Sequence, residues 1–244
     1  MGMVILPAID IKDGSCVRLF KGDFSTAHKV AESYLETALG FQAAGAEWIH
    51  MVDLDGAKEG RPVNTRIYTD VAEKTRLKVE VGGGIRNIET VGEYLKMGIS
   101  RVILGSAALK NPRLVADSIE KFGSERIAVG IDAMNGMVAA EGWLEASDVN
   151  YIDLANKMIG LGVKYFIFTD ISKDGTLSGV NREQLKALYD GTDGKCKIIA
   201  SGGVHDLGDI RACKEMGLYG AICGKSIYSG TLDLREAIKA GRDE

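Results

Sequence analysis

The chain has 244 residues, 45% of them hydrophobic, and a formal net charge of −4. That length suits one α/β barrel with ample core, and the acidic balance argues against a general nucleic-acid surface or a polybasic membrane face. No apolar run approaches a membrane span and the start shows no basic segment ahead of a signal-like core, so neither nucleic acid nor membrane is an expected partner and the cytoplasm is the expected compartment.

Short apolar runs alternate with stretches of helical periodicity along the chain. The first predicted strand, residues 4–10 (VILPAID), ends on Asp10 and precedes a helix over 30–45; the second, 47–53, ends on Asp53 and precedes a helix over 64–75. The third, 78–82, runs into the glycines 82–84 before a helix over 87–97, and the fourth, 101–105, ends on Gly105 before a helix over 111–121. The second half continues with strands at 126–132, 164–170, 197–201 and 220–224, which end on Asp132, Asp170, Ser201 and Gly224. Helices are predicted after them at 150–161, 181–190, 206–215 and 232–240, several behind Asn, Asp or Ser caps. Near-continuous apolar strands, each followed by a helix, describe a parallel sheet covered on its outer face, and eight such units close a barrel.

The second half repeats the first. Asp10 recurs as Asp132, Asp53 as Asp170, Gly83 as Gly202 and Gly105 as Gly224, at spacings of 122, 117, 119 and 119 residues. The fold expected is therefore a single (βα)8 TIM barrel built from two duplicated (βα)4 half-barrels, about 1–122 and 123–244, within one domain over 1–244. Three prolines and no linker-like segment interrupt this order. An open doubly wound sheet, the alternative, would need a dinucleotide-type turn after the first strand, and IDIKDG is not one.

The polar residues fall at the strand ends where such barrels carry their active sites. Glycine-rich turns leave backbone N–H groups free to face an anion, so Gly83, Gly84, Gly105 and Ser106 form one candidate phosphate nest and Gly202, Gly203, Gly224 and Ser226 its counterpart. Arg86 and Lys225 beside these turns offset charge locally. Two nests across one mouth suggest a bisphosphate. His28, His50 and His205 lie far apart and Cys16, Cys196, Cys213 and Cys223 contain no CxxC pair, so no metal site or disulfide framework is expected. His50 reads as a hydrogen-bonded core histidine. Proton transfer then falls to carboxylates, with Asp10 and Asp132 the natural pair.

The motifs LPAIDIKDGSCVRLFKGDF, HMVDLDGA, VEVGGGIR, GSAALKNP, EGWLE, TDISKDGTLSGVN and ASGGV together resemble the histidine-biosynthesis isomerase family, which converts phosphoribosylformimino-aminoimidazole carboxamide ribotide from aminoaldose to aminoketose. The resemblance runs nearly end to end. It implies a cofactor-free Amadori rearrangement of a bisphosphorylated ribotide in the cytoplasm. A monomer is expected, although the sequence itself does not reveal self-association. The resemblance also implies Asp10 as proton acceptor, Asp132 as proton donor, Thr169 as an orienting residue and Asp174 as an alternative acid. Trp143 matches a loop tryptophan able to stack on the aminoimidazole ring, and Arg18 a contact of the first loop.

Three rival readings remain. The sister cyclase of the pathway carries a first strand nearer CLDV and a sixth nearer TSMDRDG, where this chain has PAID and TDISKDG. A bifunctional isomerase that also takes phosphoribosylanthranilate would carry arginine two positions before the loop tryptophan, where this chain has Glu141. A non-catalytic barrel that senses a phosphorylated metabolite would share the nests.

Overall fold

The computed structural model describes residues 2–140, 143 and 145–242. Glu141, the position that bears on a second substrate, lies outside them. Eight strands form the barrel: β1 (Val4–Lys12), β2 (Trp48–Asp53), β3 (Lys78–Gly82), β4 (Arg101–Leu104), β5 (Ile127–Met134), β6 (Tyr165–Asp170), β7 (Lys197–Ser201) and β8 (Gly220–Cys223). Each pairs in parallel with the next, and β8 pairs with β1, so the sheet is a closed (βα)8 barrel without a free edge.

The alternation of each strand divides the core into two layers. Outward residues such as Ile9, Met51, Val81 and Phe168 pack under the helices in one large cluster. Inward residues, among them Leu6, Ala8, Ile103, Ala128, Ile167, Ile199 and Ile222, fill the barrel. All the long helices but Thr65–Lys74 start at a capping side chain: Ser33, Asn87, Asn111, Asn150, Asn181, Asp206 and Asp233 each accept a backbone N–H of the first turn. Such a cap contributes about 1 kcal/mol.

The barrel elements lie close to their predicted places. Three short helices, Leu54–Glu59, Ser106–Lys110 and Lys225–Tyr228, and two hairpins were not predicted. After β1 the chain folds back through strands Ser15–Phe20 and Asp23–Ala31, so the predicted helix 30–45 shortens to Tyr34–Ala43. After β5 it folds back through Met137–Ala140 and Glu145–Asn150. Both hairpins turn on residues with positive φ, Asp13–Gly14 (50° and 72°) and Asn135–Gly136 (53° and 80°). Asp-Gly and Asn-Gly between strand residues are the strongest short-range signals of such turns, and they stand in the sequence as KDG and MNG. They draw β1 and β5 two residues beyond Asp10 and Asp132, past the rim of the barrel.

Candidate active site

A cavity of about 260 Å³ opens at the C-terminal ends of the strands. Asp10 on β1 and Asp132 on β5 both line it, from diametrically opposite strands of the eight. Asp174 faces the same cavity from the loop after β6. The three carboxyls are held differently. Arg18 Nη1 donates to Asp10 Oδ2 at 2.7 Å, and both side chains are largely buried. Burial raises the Asp132 pKa above the ordinary carboxylate value, although hydrogen bonds from Trp143 and Thr169 favour its charged form. Asp174 is pushed up to about 6, first by burial, with Asp10 and Asp132 adding to the shift and Arg18 opposing it.

The glycine turns lie after β3 and β7, again on opposite sides, and are completed by Gly105 after β4 and Gly224 after β8. The line between these turns crosses the line from Asp10 to Asp132. Gly83, Gly84, Gly202 and Gly203 all have positive φ (112°, 73°, 84° and 85°). A Cβ at Gly84 would land on the Gly56 carbonyl oxygen, and one at Gly203 on the Gly179 carbonyl oxygen. The backbone itself thus forms the wall on each side. Gly84→Ala should cost about 2 kcal/mol of stability and raise KM roughly tenfold, because the turn must shift to relieve a strained φ and a backbone clash together. Thermal denaturation and steady-state kinetics check both effects.

Positive charge stands beside each turn. Arg86 lines the first side, its guanidinium packed over Gly60, where a Cβ would lie 2.5 Å from Nη1. On the second side the Arg18 guanidinium lies against Gly224, and Lys225 Nζ donates to the Gly175 carbonyl at 2.6 Å. Lys225 therefore also ties down the loop that carries Asp174. Ser106 lines the cavity, whereas Ser226 is fully buried and does not.

The two hairpins meet over the mouth. The Trp143 ring packs against Gly22 of the first hairpin, where a Cβ would strike it, and its indole N–H reaches Asp132. Thr169, matched in the first half by Val52, also lines the cavity.

Asp53 and Asp170 end their strands as predicted but order loops. Buried Asp53 accepts from the backbone of Gly56, Val63 and Asn64 and from Asn64 Nδ2. Asp170 accepts from Ser172 and from Asn181 Nδ2. His50 is hydrogen-bonded, as expected of a core histidine, through Nδ1 to Glu80 Oε1 at 2.8 Å. It also lines the cavity, a position that its apolar sequence context concealed.

Comparison with known proteins shows the family. The profile of a family described as histidine biosynthesis protein matches residues 4–233. Curated relatives named 1-(5-phosphoribosyl)-5-((5-phosphoribosylamino)methylideneamino) imidazole-4-carboxamide isomerase are similar over nearly the whole chain. The protein of Clostridium novyi (strain NT) is 54% identical over 237 residues, covering 97% of this chain and 98% of the relative. That of Clostridium kluyveri is 53% identical over 239 residues, covering 98% and 99%. That of Clostridium botulinum (strain Okra / Type B1) is 53% identical, covering 97% of each.

Proposed function

The chain belongs to the histidine biosynthesis protein family, and from that membership we infer that it is the isomerase for which its relatives are named. It converts the aminoaldose ribotide to the aminoketose by an Amadori rearrangement, an intramolecular oxidation and reduction. The substrate carries a phosphate at each end. The observation that supports a direct reading of the site is the pair of glycine turns on opposite sides of one cavity, with carboxyls between them.

In the proposed mechanism one phosphate lies against Gly83, Gly84, Gly105 and Ser106 beside Arg86, and the other against Gly202, Gly203 and Gly224 beside Lys225 and Arg18. Asp132 donates a proton to the furanose oxygen as the C1′–O bond breaks, and the nitrogen lone pair forms the protonated imine. Asp10 then removes the C2′ proton, and the electrons of that C–H bond flow to give the enolamine. Protonation at C1′ and loss of the hydroxyl proton leave the ketone. Thr169 orients Asp132, and Trp143 stacks on the aminoimidazole ring. Asp174 is the alternative acid. No cofactor enters this scheme, and the enzyme works as a one-domain monomer in the cytoplasm without nucleic acid or membrane. No helix among the described residues is long and apolar enough to cross a membrane.

An ultraviolet assay with the aminoaldose ribotide, run beside phosphoribosylanthranilate, tests this reading. Turnover of the first alone is expected. Ammonia-dependent cyclisation instead would point to the sister enzyme, and tight binding without turnover to a sensor.

Asp174 gives a separate prediction for stability. Its pKa of about 6 in the folded chain exceeds the ordinary 3.8, so the native state holds a proton that the unfolded state releases across that interval. Stability therefore falls as pH rises from about 4 to 6 and stays reduced above it. Asp174→Asn removes the cost and should stabilise the protein by roughly 2 kcal/mol near neutral pH, with little gain at about pH 4. Urea denaturation at the two pH values measures the difference.

A further inference from the structure

One row of side chains in the barrel interior is charged in the first half and uncharged in the second. His50, Glu80 and Arg101 stand at paired register on β2, β3 and β4. Glu80 is fully buried; its Oε1 meets His50 Nδ1 at 2.8 Å, and its Oε2 accepts from Arg101 Nε at 2.9 Å and Nη2 at 2.6 Å. Arg101 is 1% exposed, and its guanidinium lies 4.3 Å from the ring centroids of both Trp48 and Tyr165. At the spacings of the internal repeat, the second half has Ile167, Ile199 and Gly220 in place of this row. Those strands close equally well with an aliphatic interior.

A buried ion pair is weak evidence for stability, since desolvation offsets much of its attraction. A charged row kept in one half only, with its upper end on the cavity, therefore points to the ligand. Burial works against the Glu80 charge, but His50 and Arg101 outweigh it and hold the carboxyl below its ordinary value. With Nδ1 committed to Glu80, Nε2 is the ring nitrogen left for the cavity.

We propose that Glu80, clamped by Arg101, is a positioning residue that fixes His50 in the Nδ1–H tautomer and presents Nε2 as an acceptor to a substrate O–H or N–H group. The contact breaks the symmetry of the clamp. Two similar phosphate nests admit a bisphosphate in either direction, and only one direction brings the reacting carbon to Asp10. A hydrogen-bond acceptor present on one side alone selects that direction. This inference rests on the isomerase reading for its ligand.

The test combines nitrogen-15 NMR of the wild-type protein with kinetics of variants. The chain has three histidines, so assignment by single substitution is direct. At neutral pH, His50 should show a protonated Nδ1 and a bare Nε2, with the Nε2 resonance shifting when the aminoketose product binds. An Nε2–H tautomer, or an Nε2 signal unmoved by saturating product, would overturn the proposal. His50→Asn, which places its amide near Nδ1, should lower kcat/KM roughly tenfold, the worth of one hydrogen bond. His50→Gln, which reaches toward the Nε2 position, should recover part of the loss. Equal rates for both variants and wild type would contradict the contact. Glu80→Gln with Arg101→Met removes both buried charges together and should give mixed His50 tautomers with kinetics like those of His50→Asn. Retention of the wild-type tautomer would overturn the positioning role. If wild-type protein fails to isomerise the ribotide, the isomerase reading fails, while the tautomer and its response to the bisphosphate product still decide this inference.

Discussion

Asp10→Asn should bind the bisphosphate product about as tightly as the wild-type protein while turning over roughly a thousandfold more slowly, within the range expected for loss of a positioned base. The glycine turns that hold the phosphates lie across the other axis of the mouth and do not depend on the Asp10 carboxyl. Asparagine keeps the oxygen that accepts from Arg18 and loses basicity. Product titration by calorimetry, beside the ultraviolet assay, separates binding from chemistry. A rate near wild type would mean that another group removes the C2′ proton.

The largest effect on stability is expected at Glu80, which lies beneath the site. Glu80→Ala leaves the Arg101 guanidinium, 1% exposed, without its counter-ion. Removing one partner of a buried pair costs about 3–5 kcal/mol, and for a chain of this size that corresponds to a fall in Tm of roughly 10 °C. Replacing both partners by apolar residues should cost far less, as the aliphatic row of the second half suggests. Urea denaturation of the single and double variants measures the contrast. A loss below about 1 kcal/mol for Glu80→Ala would mean that water reaches Arg101.

Much of this architecture was legible in the sequence, because the features that encode it are local or periodic. Runs such as VILPAI and IAVGI are apolar on both faces, and the matched spacings of Asp10 with Asp132 and Gly83 with Gly202 carry the pseudo-symmetry. The first hairpin escaped because Ser15–Phe20 is short, with Arg18 among its buried residues, and Asp23–Ala31 has no buried residue to pattern it; the Asp13–Gly14 and Asn135–Gly136 turns are the local signals of the two hairpins. Spacing also could not distinguish the carboxylates. Asp53 and Asp170 have the same repeat relation as Asp10 and Asp132, yet their neighbours Asn64 and Asn181 turn them into loop anchors. His50 lay hidden for a related reason. In a barrel the apolar run of a strand conceals which residues point inward, and its partner Glu80, with the Arg101 that Glu80 holds, comes from strands distant in sequence.

The central claim is that opposite halves of the barrel grip the two ends of one substrate while Asp10 and Asp132 act between them. A crystal structure with the aminoketose product bound tests it most directly. One phosphate should lie on the backbone N–H groups around Gly84 and Gly105 and the other on those around Gly203 and Gly224, with the reacting carbons between the two aspartates. Both phosphates in one half, or reacting carbons out of reach of Asp10, would contradict it.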